Sequence, residues 1–230
     1  MPLIELKHLQ PLAAGSTRDV FLHPQDDALL IKVIRHDAIE KRYGSGRPWY
    51  KTTRRYRHFI SYLREIREEI ALRALGDEHL PWVQKIVGFA DTDLGFGLVV
   101  EAAKDRAGNL APTLPQLIES GRFDAKVRAD LVACLDGLIA SPVILADVHG
   151  ANIVYAWDAR YGDHFVLIDG IGSKTLIPLD RMSRRINEYA KRRRAGKVLT
   201  RADKAAERVK AAASVAHTGE APRLHAHAAE

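Results

Sequence analysis

Residues 145–154 read Leu145-Ala146-Asp147-Val148-His149-Gly150-Ala151-Asn152-Ile153-Val154, and a second stretch downstream reads Leu167-Ile168-Asp169-Gly170-Ile171-Gly172. In the first, an aspartate and an asparagine stand five positions apart, in a tight turn between apolar runs at 143–145 and 153–155, both predicted as short strands. Such a turn can aim both side chains at one point. An aspartate there can accept a proton from an attacking hydroxyl, and an asparagine carbonyl oxygen can ligate Mg²⁺. Asx-turn chemistry alone accounts for the same pattern without a reaction. In the second stretch an aspartate ends the apolar run 165–168 and glycine follows. This is a good placement for a metal ligand, because a glycine-allowed φ turns the backbone away while the carboxylate stays. A plain strand-ending turn is the alternative.

Upstream of these stretches the pattern is strands first, helices later. Val20-Phe21-Leu22 and the run 29–34 read as strands around the turn residues His23-Pro24-Gln25-Asp26-Asp27. Lys32 stands alone in the second run, either as an edge-strand lysine snorkelling to water or as a buried amine with a task. Residues 36–58 read as a loop. A helix is predicted over 59–75, where Phe59, Leu63, Ile66 and Ile70 form an apolar stripe that Gly76 ends. Glu65, Glu68 and Glu69 lie on this helix. They can pair with Arg64, Arg67 and Arg73, and Glu69, at the border of the stripe, is best placed to point inward at Lys32. A strand pair spans 83–101, and helical patterns cover 114–120 and 124–140.

Composition excludes several classes. The chain has 230 residues with 47% apolar and 28% charged side chains, enough to bury a core. Its single cysteine, Cys134, permits no internal disulfide and no cysteine-based zinc site. No apolar run is long enough for a membrane span, and the N-terminus lacks a signal-peptide pattern, so a cytoplasmic location is expected. The net charge of +6 is concentrated: residues 181–210 hold 12 Lys/Arg against 3 Asp/Glu, so the body is near neutral.

Taken singly these features are weak. In order they are a lysine in an early strand, a glutamate in the next helix, Asp-x₄-Asn, then Asp-Gly after a strand. That layout resembles the protein-kinase-like phosphotransferases. More specifically, the chain resembles the PhoP regulatory network protein YrbL family over most of residues 10–180. The matching stretches are His23-Pro24 with Ile31-Lys32-Val33, Arg64-Glu65-Ile66-Arg67-Glu68-Glu69, Thr92-Asp93-Leu94-Gly95-Phe96-Gly97-Leu98-Val99, Asn152-Ile153, Ile168-Asp169-Gly170-Ile171-Gly172 and Thr175-Leu176-Ile177-Pro178-Leu179. The resemblance implies an α+β, protein-kinase-like two-lobed fold with a reduced helical C-lobe and a basic C-terminal tail. The expected division is an N-lobe over 1–103, a C-lobe carrying the catalytic and metal loops over 104–180, and a basic extension over 181–230.

The resemblance also implies roles. Lys32 would hold the ATP phosphates, paired with Glu69. Asp147 would be the catalytic aspartate, and Asn152 and Asp169 would ligate Mg²⁺. Backbone groups from Glu101 to Ala103 would meet adenine, and the stretch around Gly15 would cover the phosphates. Of the three glycines usual in that loop only Gly15 stands, with Ala13 and Arg18 at the other places. Arg18 either adds a phosphate contact or closes the pocket by its bulk. Asp147-Val148-His149-Gly150-Ala151-Asn152 resembles the Asp-Leu-His-x-x-Asn of aminoglycoside- and choline-type kinases, which favours a small molecule or glycan as acceptor. No Ala-Pro-Glu segment is present, and the chain after Asp169 is too short for a full protein-kinase helical lobe.

Mg-ATP-dependent phosphotransfer to a hydroxyl is therefore the expected activity. A pseudokinase that binds nucleotide or a partner without turnover is the first alternative, favoured by the reduced glycine loop. The second is a nucleic-acid-associated protein using two basic arms. One arm is 40–58, where Lys41, Arg42, Arg47, Lys51, Arg54, Arg55 and Arg57 interleave with Tyr43, Trp49, Tyr50 and Tyr56; the other is 181–210. An anionic polymer or lipid phosphate would suit either arm, and a solvated basic surface is the plain alternative.

Overall fold

Five antiparallel strands build the first lobe in a computed structural model that describes residues 3–44, 46, 56–76, 80–172 and 183–218. They are β1 (Ala13–Ala14), β2 (Arg18–His23), β3 (Asp26–Ile34), β4 (Ile86–Thr92) and β5 (Gly95–Glu101), in the order β1-β2-β3-β5-β4. The sheet buries both faces. Phe21, Ile31, Val33, Ala90 and Val99 pack with Leu6 on one side. Leu30, Ile34, Leu98 and Val100 pack on the other against Tyr62, which belongs to helix α2 (Ile60–Leu75). Lys32 pairs in register with Val20 and Leu98, and Arg18 pairs with Ile34. Directly opposed residues share a face, so Arg18 and Lys32 both project toward α2.

The buried side of α2 differs from the expected stripe. Tyr62, Glu65, Glu68 and Leu72 are buried, whereas Ile70 is 60% exposed. The true inward face is turned by one residue, about 100° around the axis. Two further expectations are corrected. The segment predicted as a loop from 36 contains helix α1 (His36–Tyr43), anchored by buried Tyr43. Residues 143–145 are buried but form no strand; Leu145 makes an isolated bridge to Ile171.

The second lobe begins with α3 (Leu114–Glu119), opened by a capping box between Thr113 and Gln116. Helix α4 (Ala125–Ala140) is N-capped by Asp124, whose carboxylate accepts the Val127 N–H. The hairpin of β6 (Ile153–Asp158) and β7 (Gly162–Leu167) follows, and then the 35-residue helix α5 (Arg184–Thr218). Leu131, Leu138, Ile153, Phe165 and Leu167 share one core with Ala195, Val198, Ala202 and Ala206 of α5. The basic segment therefore presents a line of small side chains inward and completes the lobe. The two lobes are tied where Gln84 N–H donates to Leu167 O at 2.9 Å and Leu167 N–H donates to Trp82 O at 2.8 Å. The element order and the two-lobed α+β arrangement are the kinase-like layout expected from the sequence. No described helix is long and apolar enough to cross a membrane.

Lys191 caps α4 from α5. Its amine, 1% exposed as a residue, donates to Leu138 O at 2.9 Å and to Ser141 O at 2.5 Å. Burial pulls its pKa down to about 8. Between that value and the ordinary lysine value the unfolded chain holds a proton that the folded chain has lost, so stability rises with pH across this window. Urea denaturation at pH 7.5, 8.5 and 9.5 should show this rise, and Lys191→Met should flatten it.

Candidate functional site

Lys32 is fixed from three sides. Its Nζ donates to Gln84 Oε1 at 2.7 Å and to Ile168 O, the carbonyl just before Asp169, at 2.6 Å. Its own carbonyl accepts the Tyr62 hydroxyl at 2.7 Å, which seats α2 on the strand. One helical turn beyond Tyr62, Glu65 enters the site. Arg18 reaches it from β2: one guanidinium nitrogen lies 2.6 Å from Glu65 Oε1 and the other 2.6 Å from Asp169 Oδ2. Asp169 Oδ1 accepts the Gly170 N–H at 2.6 Å.

The expected Lys32–Glu69 pair is not formed. Glu69 Oε1 instead accepts Arg73 Nε at 2.9 Å on the same helix. The reason is the rotated face of α2: Glu65 and Glu68 point inward, and Glu69 stands beside them toward an i,i+4 partner. Glu68 also serves the junction, its Oε2 accepting the Ile144 N–H at 3.0 Å.

Arg18, Lys32, Glu65 and Asp169 thus form a charge-balanced quartet, two cations and two carboxylates. Burial lowers the pKa of Lys32; Arg18 adds to the lowering, Glu65 and Asp169 oppose it, and burial prevails. Burial opposes the charge on Arg18, yet Glu65 and Asp169 outweigh it and raise its pKa. Burial likewise opposes the Asp169 carboxylate, but Arg18 and Lys32 hold it below the ordinary carboxylate range. The Asp169 side chain nevertheless keeps 44% exposure, so the quartet has one open side.

The turn carrying Asp147 and Asn152 docks on this cluster through Gly170. Ala146 N–H and Asp147 N–H both donate to Gly170 O, at 2.8 and 3.1 Å. Asn152 Nδ2 donates to Asp147 O at 3.3 Å, and Ile168 N–H donates to Asn152 O at 2.8 Å. Gly170 has φ +88°, and a Cβ there would fall 2.0 Å from Asp147 O. Only glycine lets the two loops approach this closely. Asp147 itself is exposed.

The donor chemistry suits a hard divalent cation. Asn152 keeps its side-chain oxygen free of the bond its nitrogen makes, and Asp169 supplies a carboxylate. No group of three or more His, Cys, Asp and Glu that could hold a metal occurs among the described residues. A cation held here would take its remaining oxygens from phosphate and water, as Mg²⁺ ordinarily does.

The strand β5 leads into the link between lobes. Glu101 N–H donates to Lys85 O at 3.0 Å, Glu101 O accepts Gln84 Nε2 at 2.8 Å, and Ala103 O accepts the Ala111 N–H at 2.9 Å. The Ala103 N–H has no hydrogen-bond partner among the described residues. Ala103 and Ile168 pack against Val154 and Val166 beside it. Gly15 sits in the β1–β2 turn, where its N–H donates to Arg18 O at 2.8 Å. This is a tight hairpin closed by Arg18 and not an open three-glycine loop.

Sequence reasoning missed Gln84 and preferred Glu69 to Glu65; at Gly170 it found the glycine-allowed φ, which the structure has at +88°, but not the close approach of Asp147 O. The signal for Glu65 is its spacing of three from Tyr62, an aromatic left out of the apolar stripe. Of the basic arm at 40–58, Arg47, Trp49, Tyr50, Lys51, Arg54 and Arg55 lie outside the described residues, as do the Thr175–Leu179 match and 219–230. In the second arm Arg193, Lys197, Arg201, Lys204 and Arg208 are exposed on α5.

Known proteins resemble the chain in sequence and in fold. The chain is 27% identical over 183 residues to the YrbL proteins of Escherichia coli strain K12 and Shigella flexneri, covering 77% of this chain and 77% of each relative. Among solved structures it is similar to the PknI kinase domain of Mycobacterium tuberculosis in its C20A_R136A form, with 18% identity, a TM-score of 0.48, and 83% of this chain and 69% of that one covered. It is also similar to Rad53 1-466 in complex with AMP-PNP, with 10% identity, a TM-score of 0.49, and 88% and 51% covered. The model of one family, PhoP regulatory network protein YrbL, matches residues 4–202, and the chain belongs to that family.

Proposed function

We propose that the chain is a phosphotransferase that moves a phosphoryl group from Mg-ATP to a hydroxyl of a small molecule or glycan. One observation carries the reading. Residues far apart in sequence, Lys32, Asp147, Asn152 and Asp169, are gathered by direct bonds onto the single loop 168–170. A plain strand-ending turn gives no reason for a buried lysine to bind the carbonyl next to the aspartate.

In this reading the unpaired Ala103 N–H meets the adenine edge, with Val154 and Ile168 as an apolar floor. Lys32 binds phosphate oxygens. Asn152 and Asp169 hold the divalent cation, which when bound neutralises phosphate charge. Asp147, exposed at the mouth, orients the acceptor hydroxyl and takes its proton as the oxygen bonds to phosphorus and the bond to the diphosphate leaving group breaks. Positioning and fixed charge supply the rate.

A specific observation also favours the pseudokinase reading: Arg18 already holds both Glu65 and Asp169. One set of measurements separates the two. Mg-ATP at a hundred times its Kd should stabilise the protein by about 2.7 kcal/mol, read as a rise in melting temperature. Asp169→Ala should remove the part that depends on Mg²⁺. Asp147→Ala should keep nucleotide binding and abolish turnover. Binding with no phosphoryl transfer or ATP hydrolysis in the unaltered protein selects the pseudokinase. No thermal shift at millimolar Mg-ATP overturns the phosphotransferase and leaves of the pseudokinase only its partner-binding form.

A further inference from the structure

The pairing of Arg18 with Asp169 has a consequence for how ligands enter. Arg18 is not a surface side chain that has folded over by chance. Its backbone is locked in β2 opposite Ile34, its carbonyl closes the β1–β2 turn, and its residue is 8% exposed. A buried guanidinium must have anions around it. Here it has two, Glu65 and Asp169, and it fills the Oδ2 edge of Asp169 while Gly170 N–H fills Oδ1. Both oxygens of the one carboxylate that would ligate a cation are therefore engaged. Lys32 does not displace Arg18 from Glu65, because Gln84 and Ile168 O take two of its three protons and hold the amine away, leaving one proton for a ligand.

We infer that Arg18 and a divalent cation compete for Asp169, and that a nucleotide polyphosphate resolves the competition by giving Arg18 a second anion. This rests on the proposed nucleotide site and deepens it by adding a residue that binds phosphate and controls the cation. Guanidinium matches phosphate in a two-point fork as well as it matches carboxylate. When polyphosphate enters beside Lys32, one arm of Arg18 can move from Asp169 to a phosphate oxygen while the other stays on Glu65. Asp169 is then released to the cation. Cation and nucleotide therefore bind with positive coupling, and that coupling is reciprocal.

The test uses Mn²⁺ as a paramagnetic cation probe, titrated into the full chain with and without ATP and followed by electron paramagnetic resonance. In the unaltered protein, saturating ATP should tighten Mn²⁺ binding to the protein beyond its binding to ATP alone, and Mn²⁺ should tighten ATP by the same factor, about tenfold or more. In Arg18→Met, Mn²⁺ alone should bind about tenfold more tightly than in the unaltered protein, and the coupling to ATP should shrink. Circular dichroism establishes that the variant is folded, and the coupling measured in the unaltered protein stands whether or not it is. Equal Mn²⁺ affinity with and without ATP overturns the inference. So does equal Mn²⁺ affinity in Arg18→Met and the unaltered protein. If in those cases Asp169→Ala still removes Mn²⁺ binding, the cation site stands and only the competition fails. If Mn²⁺ and ATP bind neither protein, the nucleotide site fails with it.

Discussion

Glu65→Gln will destabilise the protein by about 3 kcal/mol, whereas Glu69→Gln, four residues further along the same helix, will change stability by no more than about 0.5 kcal/mol. Urea denaturation monitored by circular dichroism reads both. Glu65 is 6% exposed and pairs with Arg18 at 2.6 Å, inside a cluster whose charges cancel. Glutamine keeps the shape and an acceptor oxygen but removes one negative charge. Arg18 and Lys32 then share only Asp169, and an uncompensated cation is left out of water. The Glu69 side chain is itself only 11% exposed, but its partner Arg73 is 55% exposed, so the cation that glutamine leaves behind stays in water. Equal costs for the two variants would mean that the inward face of α2 has been misassigned.

Gly170→Ala is expected to be the most damaging glycine-to-alanine change among the described residues, at about 3 kcal/mol or more. Two effects add. The φ of +88° is strained for any residue with a Cβ, and that Cβ would stand 2.0 Å from Asp147 O and 2.8 Å from its carbonyl carbon. Relieving the clash must push the Asp147–Asn152 turn away from Asp169. On the proposed phosphotransferase reading, nucleotide binding should fall with stability. Gly162→Ala separates the two effects. That glycine has φ +71° at the start of β7, and a methyl added there would meet nothing within 4 Å, so only the backbone effect remains, about 1 kcal/mol.

The parts of the fold that could be read in the sequence are those with local chemistry. The runs 29–34 and 97–101 fall within β3 and β5, and the glycine and aspartate turns lie where turn residues stand. Lys32, Asp147, Asn152 and Asp169 were legible as a set because their order along the chain carries information that no one of them has. The inward face of α2 was not legible, and the reason is physical. A hydrophobic stripe finds the buried side of a helix only when that side is apolar. Here it is Tyr62, Glu65 and Glu68, buried because cations and backbone groups from other elements satisfy them. A helix face that is buried but polar thus hides its orientation from hydropathy. Helix α1 was missed for a related reason: its sequence His36-Asp37-Ala38-Ile39-Glu40-Lys41-Arg42-Tyr43 is mostly polar, it has no side-chain N-cap bond, and its anchor is tertiary, through Tyr43 and Ile39. Residues 143–145 misled in the opposite direction. An apolar run enclosed on all sides has the same composition whether or not a neighbouring strand pairs with it.

The long helix α5 has a bearing on how the chain matures on the ribosome. Every element of the sheet lobe is complete by residue 101, so that half can settle early, when little more than the first hundred residues have emerged. The other half cannot, because Ala195, Val198, Ala202 and Ala206 are needed to close the core against Leu114, Leu131 and Leu138. The hairpin bearing Asn152 at its entry and ending next to Asp169 will therefore spend part of synthesis with one wall missing. The cationic helix, made well after the hairpin, is the piece that shuts that half of the molecule.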